Sequence, residues 1–69
     1  MRQVDRLRRI LGNLDQARKP IDLRLPGYRL HALEGDRRGD WSISVSRNWR
    51  ITFRFDGSDV AGVNYEDYH

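Results

Sequence analysis

The last six residues hold most of the side chains that could do acid–base chemistry. Residues 64–69 read NYEDYH, and they place two carboxylates, two phenols and an imidazole in one hexapeptide. Histidine titrates near neutral pH and carboxylates accept protons, so this stretch supplies candidates for a general acid and a general base. Upstream, Arg50 and Arg54 alternate with apolar residues. Arginines near acid–base groups are typical of phosphate chemistry.

These groups match the needs of metal-free RNA cleavage. One group removes the proton of the 2′-hydroxyl, one protonates the leaving 5′-oxygen, and a cation stabilises the charge that builds on the phosphate. The 2′-hydroxyl is the nucleophile, so DNA would resist this chemistry. The alternative is that exposed arginines and serines solvate an outer face and form no site.

Other chemistries find little support in the sequence. There is no P-loop, no Rossmann glycine motif and no nucleophile elbow. His31 and His69 with scattered carboxylates do not make a metal-ligand set, so we expect no metal and no cofactor. His31 is interpreted as a surface or connector residue.

Composition favours a small, soluble domain with an anionic partner. The chain has 69 residues, no cysteine and a net charge of +3, which indicates one domain over 1–69 with a small core. Its twelve arginines outnumber lysine twelve to one, which favours phosphate ligands; a GC-rich genome is the alternative reason. No apolar run is long enough for a signal peptide or a membrane span, and we expect a cytoplasmic protein.

The elements that must position these groups begin with a helix over 2–17. Its apolar residues recur at helical spacing, while most of its arginines lie off that stripe and are interpreted as a solvated face. The stripe consists of Val4, Leu7, Ile10, Leu11 and Leu14. Pro20 ends the helix. Residues 20–40 are a connector, with an extended piece at 21–25, a short strand at about 28–32 and a charged loop at 35–40.

Three antiparallel strands follow, over 41–46, 49–55 and 60–66. Arg47 and Asn48 are expected to form a two-residue turn, and Asp56 with Gly57 is a strong hairpin signal. Gly62 indicates a bulge or a close backbone approach. The sequence therefore predicts an α+β fold, with one amphipathic helix on a three- to four-stranded antiparallel sheet. Leu7, Leu11 and Leu14 should face its apolar side.

Hairpin pairing would return the end of the third strand to the start of the second. That end would then lie near Arg50 and near the loop that leads into the first strand. One end of the sheet is thereby expected to collect the candidate residues: Glu34, Arg37, Arg38, Arg50, Asp67, Tyr68 and His69.

Several runs resemble the HigB-type toxins of the RelE/ParE superfamily of bacterial toxin–antitoxin modules. They are YRLHAL at 28–33, GDR at 35–37, WSI at 41–43, NWRITF at 48–53 and YEDYH at 65–69. The resemblance covers roughly residues 4–69 and implies a ribosome-dependent mRNA endonuclease, neutralised by an antitoxin that is usually a helix-turn-helix repressor. It also implies a RelE-like fold.

The resemblance assigns roles to the candidate residues. His69 and Asp67 would transfer protons, Arg50 would stabilise the phosphate, and Tyr68 would orient the substrate. Arg37, Arg38 and Arg54 are candidates for binding RNA phosphates. Glu34 is a departure, because the family commonly has lysine at its position; Glu34 could serve as a base, or Arg37 or Arg38 could replace the lost charge.

A second departure is that family members begin with a strand and a helix before the helix matched by 2–17. Without that first strand and helix, the sheet would expose an unpaired edge and apolar surface. We therefore expect a homodimer or dependence on a partner. The alternative function is a non-catalytic module that binds an antitoxin or RNA. Gyrase inhibition, as in ParE-type relatives, is disfavoured by the proton-transfer groups of the tail.

Overall fold

The computed structural model describes residues 2–67, so the predicted site residues Tyr68 and His69 lie outside the described residues. Helix α1 spans Arg2–Gln16 and is followed by a 3-10 turn at Pro20–Leu23. A second 3-10 turn at Gly35–Arg37 precedes most of the sheet. The predicted α+β fold, one helix on an antiparallel sheet, is confirmed.

The sheet has four strands in the order of the sequence, all antiparallel. They are β1 at His31–Ala32, β2 at Asp40–Ser44, β3 at Trp49–Asp56 and β4 at Asp59–Asp67. The Asp56-Gly57 hairpin signal is confirmed, since Asp56 pairs with Asp59 across a two-residue loop. The two-residue turn expected at 47–48 is wrong. The chain leaves β2 at residue 45, and the N–H groups of Val45 and Ser46 both bond to the carbonyl of Trp49.

Helix α1 buries a narrower stripe than the sequence predicted. Ile10 and Leu14 are buried, as is Ala17 just after the helix, whereas Leu11 is 44% exposed. The expectation that Leu11 packs on the sheet is therefore wrong. The 3.6-residue period centres the buried stripe on Ile10 and Leu14 and rotates Leu11 to its margin.

The connector after the helix is tightened by a side chain. The Asp22 carboxylate accepts hydrogen bonds from the backbone N–H groups of Arg18 and Lys19, at 3.0 and 3.2 Å. Pro20 fixes the backbone at the start of the same turn. The extended piece expected at 21–25 is wrong for this reason, and its Leu23 instead enters the core from a 3-10 turn.

Arg6 ties the helix to the sheet. Its Nε donates to the carbonyl of Val45 at 2.7 Å, its Nη2 donates to that of Ser44 at 3.1 Å, and its guanidinium lies over the Tyr28 ring. Arg8 and Arg9 are exposed, as the solvated-face interpretation predicted. Arg6 departs from that interpretation because carbonyls at the end of β2 need a donor.

Gly62 forms a bulge in β4, as the sequence predicted. Its φ is +63°, and the β3–β4 register shifts between Thr52 and Arg54. Arg54 pairs with Ala61 and Thr52 pairs with Asn64, so two residues of β4 lie opposite Phe53. A bulge of this kind moves the rest of the strand by one residue and reverses which face each following side chain occupies.

Strand β4 has β3 as its one neighbour among residues 2–67, so its outer edge is unpaired there. A groove of about 400 Å³ runs between this strand and α1. Leu11 and Val63 line it and are 44% and 46% exposed. No helix in the described part of the chain is long and apolar enough to cross a membrane.

Candidate active site on the polar face of the sheet

The register of the sheet places Glu66 beside Arg50. Ser44 pairs with Arg50, and Arg50 pairs with Glu66, in one row across β2, β3 and β4. Strand side chains alternate between faces, so this row lies on the face opposite the buried Ile51 and Phe53. The prediction that the end of the last strand returns to Arg50 is confirmed.

Arg37 reaches this row from the 3-10 turn before β2. Its Nη1 donates to Oε1 of Glu66 at 3.0 Å, and its Nη2 donates to Oε2 at 2.8 Å. This is a bidentate pair, the arrangement that best matches a guanidinium to a carboxylate. On its other side, Nε of Arg37 lies 3.5 Å from Oδ2 of Asp40.

Arg50 and Thr52 complete the coordination of Glu66. Nε and Nη2 of Arg50 both donate to Oε1, at 3.2 and 3.0 Å. The Thr52 hydroxyl donates to Oε2 at 3.1 Å and accepts from Nη2 of Arg37 at 3.3 Å. Thr52 is 1% exposed. The polar face is therefore not merely solvated, because Arg37 and Glu66 cover its centre.

The ionisation of Glu66 follows from these donors. The pKa of Glu66 is lowered to about 2, chiefly by the hydrogen bonds from Arg37 and also by those from Arg50 and Thr52, while desolvation opposes them. The same hydrogen bond raises the pKa of Arg37 above its ordinary value. A carboxylate this acidic is a weak base at neutral pH. Glu66 is thus suited to orienting arginines, not to moving protons.

Asp67, a predicted catalytic residue, pairs with Trp49 at the end of β4. Strand alternation places it on the opposite face from Glu66, the face on which Tyr65 stacks on Trp49 with ring centroids 4.7 Å apart. Asp67 is exposed and engaged in an interaction of its own. The next residues, Tyr68 and His69, are outside the described part of the chain.

The other predicted residues lie around the cluster. Glu34 is exposed and immediately precedes the 3-10 turn that carries Arg37, and Arg38 is exposed just after it. The Arg54 guanidinium lies over Gly62 at the bulge. Within residues 2–67, Arg37 is the one predicted phosphate-binding arginine that hydrogen-bonds to the Arg50–Glu66 pair.

Sequence reasoning missed Glu66 and Thr52 as members of the site. A two-residue loop after Asp56 alone would pair Arg50 with Tyr65, and the bulge at Gly62 adds the residue that brings Glu66 there instead. The sequence contained the signal for this pairing, since Gly62 already predicted a bulge. The prediction did not include the shift in strand register that the bulge causes.

His31 is a surface residue, as predicted, and it lies within the short strand expected at about 28–32. In β1 it pairs with Ser42, and Ser42 pairs with Thr52. This row places His31 on the polar face of the sheet. No three histidine, aspartate or glutamate side chains cluster to hold a metal ion in the part that the structure describes.

Comparison with known proteins identifies the family. Residues 2–69 match the HigB-like toxins, described as the RelE-like toxin of the type II toxin–antitoxin system HigB. The chain belongs to the HigB-like toxins. It is also 50% identical over 66 residues to a protein named Endoribonuclease HigB from Proteus vulgaris, covering 96% of this chain and 72% of that relative. Membership of a HigB-like type II toxin family implies an antitoxin partner, as the sequence predicted.

Proposed function

We propose that this chain is an endoribonuclease that cleaves mRNA on the ribosome by metal-free acid–base chemistry. The observation that carries the proposal is the clamp formed by Glu66, Arg37 and Arg50, from which the chain leads directly to Asp67, Tyr68 and His69. The name of the Proteus vulgaris relative supports the same activity. The protein would act in the cytoplasm, and its antitoxin would be of the helix-turn-helix type.

The clamp divides the labour between its two arginines. Arg37 donates to both oxygens of Glu66, whereas the bonds from Arg50 to Glu66 go to Oε1. Arg37 also meets Asp40, so its charge is balanced by two carboxylates. We assign the scissile phosphate to Arg50, which lies on the polar face of β3 in the strand row that also holds Glu66, and we assign Arg37 the part of a positioning residue that fixes Glu66 and, through it, Arg50.

The reaction then needs only groups of this chain. A base removes the 2′-hydroxyl proton, the 2′-oxygen attacks phosphorus, and the 5′-oxygen leaves with a proton from an acid. The products are a 2′,3′-cyclic phosphate and a 5′-hydroxyl. His69 and Asp67 would carry the protons, Tyr68 would orient the nucleotide, and Arg50 would stabilise the charge on the phosphate. His31 is a further imidazole on the polar face of the sheet.

The test is inducible expression in bacteria of the wild type, Arg50→Ala, His69→Ala and His31→Ala. We expect the wild type to arrest growth and to leave new 5′-hydroxyl ends in mRNA. Arg50→Ala and His69→Ala should relieve both effects at equal protein level. Arrest without new RNA ends would contradict the proposal. Cleavage by the purified chain of mRNA on ribosomes, but not of free mRNA, would support the ribosome as its site of action.

The second candidate is a module that binds an antitoxin or RNA without cutting. It is favoured by the balance of charge in the clamp, where Asp40 and Glu66 offset Arg37 and Arg50. Glu34 adds an exposed anion next to the turn. A steep salt dependence of RNA affinity, with no cleaved ends under any condition, would decide for this candidate.

A further inference from the structure

A second concavity opens on the polar face where β2 ends. It encloses about 360 Å³ and is lined by Arg29, Ser44, Ser46 and Arg47. This volume lies near the lower end of the range of roughly 300–1,000 Å³ that is usual for ligand pockets. We call it the Arg29–Arg47 pocket.

The charge of this pocket differs from that of the clamp. Arg29 and Arg47 are exposed, and within residues 2–67 neither forms an ion pair with a carboxylate. The residues that line the pocket in the described part of the chain include no acidic side chain. The arginines of the clamp, in contrast, share two carboxylates. The pocket therefore presents two guanidinium groups and two hydroxyl side chains, which suits an anion with several oxygens.

The pocket adjoins the clamp through the sheet. Ser44 lines the pocket and pairs with Arg50, so one step between strands, about 5 Å, separates the backbone of the pocket wall from that of the clamp. Arg29, which precedes β1, and Arg47, which lies between β2 and β3, line this pocket together with Ser44. A strand of RNA whose phosphate lay at Arg50 would place a neighbouring phosphate at or near the pocket.

We propose that the Arg29–Arg47 pocket binds a backbone phosphate of the substrate RNA strand, next to the phosphate that is cleaved. The inference rests on the proposed function, which supplies the RNA strand and places its scissile phosphate at Arg50. Phosphate contacts position a nucleic acid and carry no sequence information directly. The pocket should thus govern affinity and register, while the chemical step belongs to the clamp and the tail.

The first test measures binding to a short, fluorescently labelled single-stranded RNA by anisotropy. All proteins carry Arg50→Ala, so that the RNA stays intact. Arg29→Gln with Arg47→Gln is compared with Arg8→Gln with Arg9→Gln, a matched loss of two exposed arginines on the helix. Between about 50 and 200 mM salt, log affinity falls linearly with log salt concentration. Each lost phosphate contact should make this negative slope shallower by roughly 0.7. The control pair should keep the parent slope.

The second test measures cleavage of ribosome-bound mRNA with an otherwise wild-type chain. Arg29→Gln with Arg47→Gln should raise KM by about tenfold and leave kcat within about twofold, the pattern of lost uniform binding. If Arg29→Gln with Arg47→Gln gives the same salt slope and the same KM as Arg8→Gln with Arg9→Gln, while the wild type cleaves, the pocket proposal is refuted and the proposed function stands.

Two further outcomes separate the sources of the phosphate and the two proposals. If Arg29→Gln with Arg47→Gln raises KM on ribosomes but leaves the salt slope of free-RNA binding unchanged, the phosphate belongs to ribosomal RNA. This outcome would overturn the assignment to the substrate strand. A reduced slope in a chain that never cleaves would uphold the pocket and refute the endoribonuclease.

Discussion

Arg37 and Glu66 form a bidentate ion pair, with Nη1 and Nη2 donating to Oε1 and Oε2 at 3.0 and 2.8 Å. The pair joins the turn before β2 to the last residues of β4. It is partly shielded, since the two side chains are 38% and 24% exposed. Because the proposed catalytic tail follows Glu66 at once, this contact fixes the point from which the tail departs.

Replacing Glu66 with glutamine should destabilise the fold. The amide cannot accept from Arg37, Arg50 and Thr52 together, and one of its groups would point a donor at a guanidinium. We expect the free energy of unfolding at neutral pH to fall by roughly 1 to 2 kcal/mol, a range reduced for solvent screening. Urea unfolding followed by tryptophan fluorescence measures it. Asp56→Asn, an exposed carboxylate at the hairpin, is the control and should change little.

Acid should remove the same contribution. The pKa of Glu66 is lowered from 4.5 to about 2 on folding, so its stabilisation is fully present above pH 4.5 and is lost as pH falls toward about 2. The difference in unfolding free energy between wild type and Glu66→Gln should therefore be constant from neutral pH down to about pH 4.5 and should shrink below that pH. A difference that stays constant down to about pH 2.5 would show that the carboxylate is not held ionised.

The clamp predicts unequal effects of its two arginines on RNA cleavage. Arg50→Gln should lower kcat by about 10²–10³-fold, as expected for loss of a cation that stabilises charge in the transition state. Arg37→Gln should lower kcat by only about tenfold, because in this proposal Arg37 acts through Glu66 and Arg50 and does not itself meet the phosphate. KM should move little in either. Equal losses at the two positions would refute the assignment of Arg37 as a positioning residue.

The helix and strands of this fold could be predicted from the sequence, whereas the side-chain contacts of the site could not. Alternation around Ile51 and Phe53 gave β3, and helical spacing gave α1, because each depends on local period alone. The clamp depends instead on register between β3 and β4, which one inserted residue reverses. The connector at 20–23 also escaped prediction, since it depends on the Asp22 side chain capturing backbone N–H groups.

The exposed groove predicts self-association. Leu11 and Val63 line it beside the outer edge of β4, which no strand within residues 2–67 pairs, and apolar surface next to such an edge favours association with a second chain. We expect a concentration-dependent dimer in sedimentation equilibrium of the purified chain without antitoxin. Val63→Glu should shift it to monomer, while Ile21→Glu should not, because Ile21 is also apolar and even more exposed but lies outside the groove. A stable monomer with a cooperative, high-melting transition would contradict the prediction.

Two glycine substitutions should have opposite effects on stability. Gly12 is exposed in the helix with no atom near the position of a Cβ, so Gly12→Ala should stabilise by roughly 0.5 to 1 kcal/mol through helix propensity. Gly62 has a φ of +63°, where an L-residue costs about 1–2 kcal/mol, and its Cβ would displace the Arg54 guanidinium. Gly62→Ala should therefore destabilise by about that amount in thermal or urea unfolding.

Gly62 should also matter for activity in a way that Gly12 does not. If the added strain in Gly62→Ala is relieved by losing the bulge, β4 slips by one residue and Tyr65 replaces Glu66 opposite Arg50. The raised pKa of Arg37 and the low pKa of Glu66 would then both relax. We expect RNA cleavage to fall by more than the stability loss accounts for. Full activity per folded molecule in Gly62→Ala, at a temperature where both proteins are folded, would show that the register does not depend on this glycine.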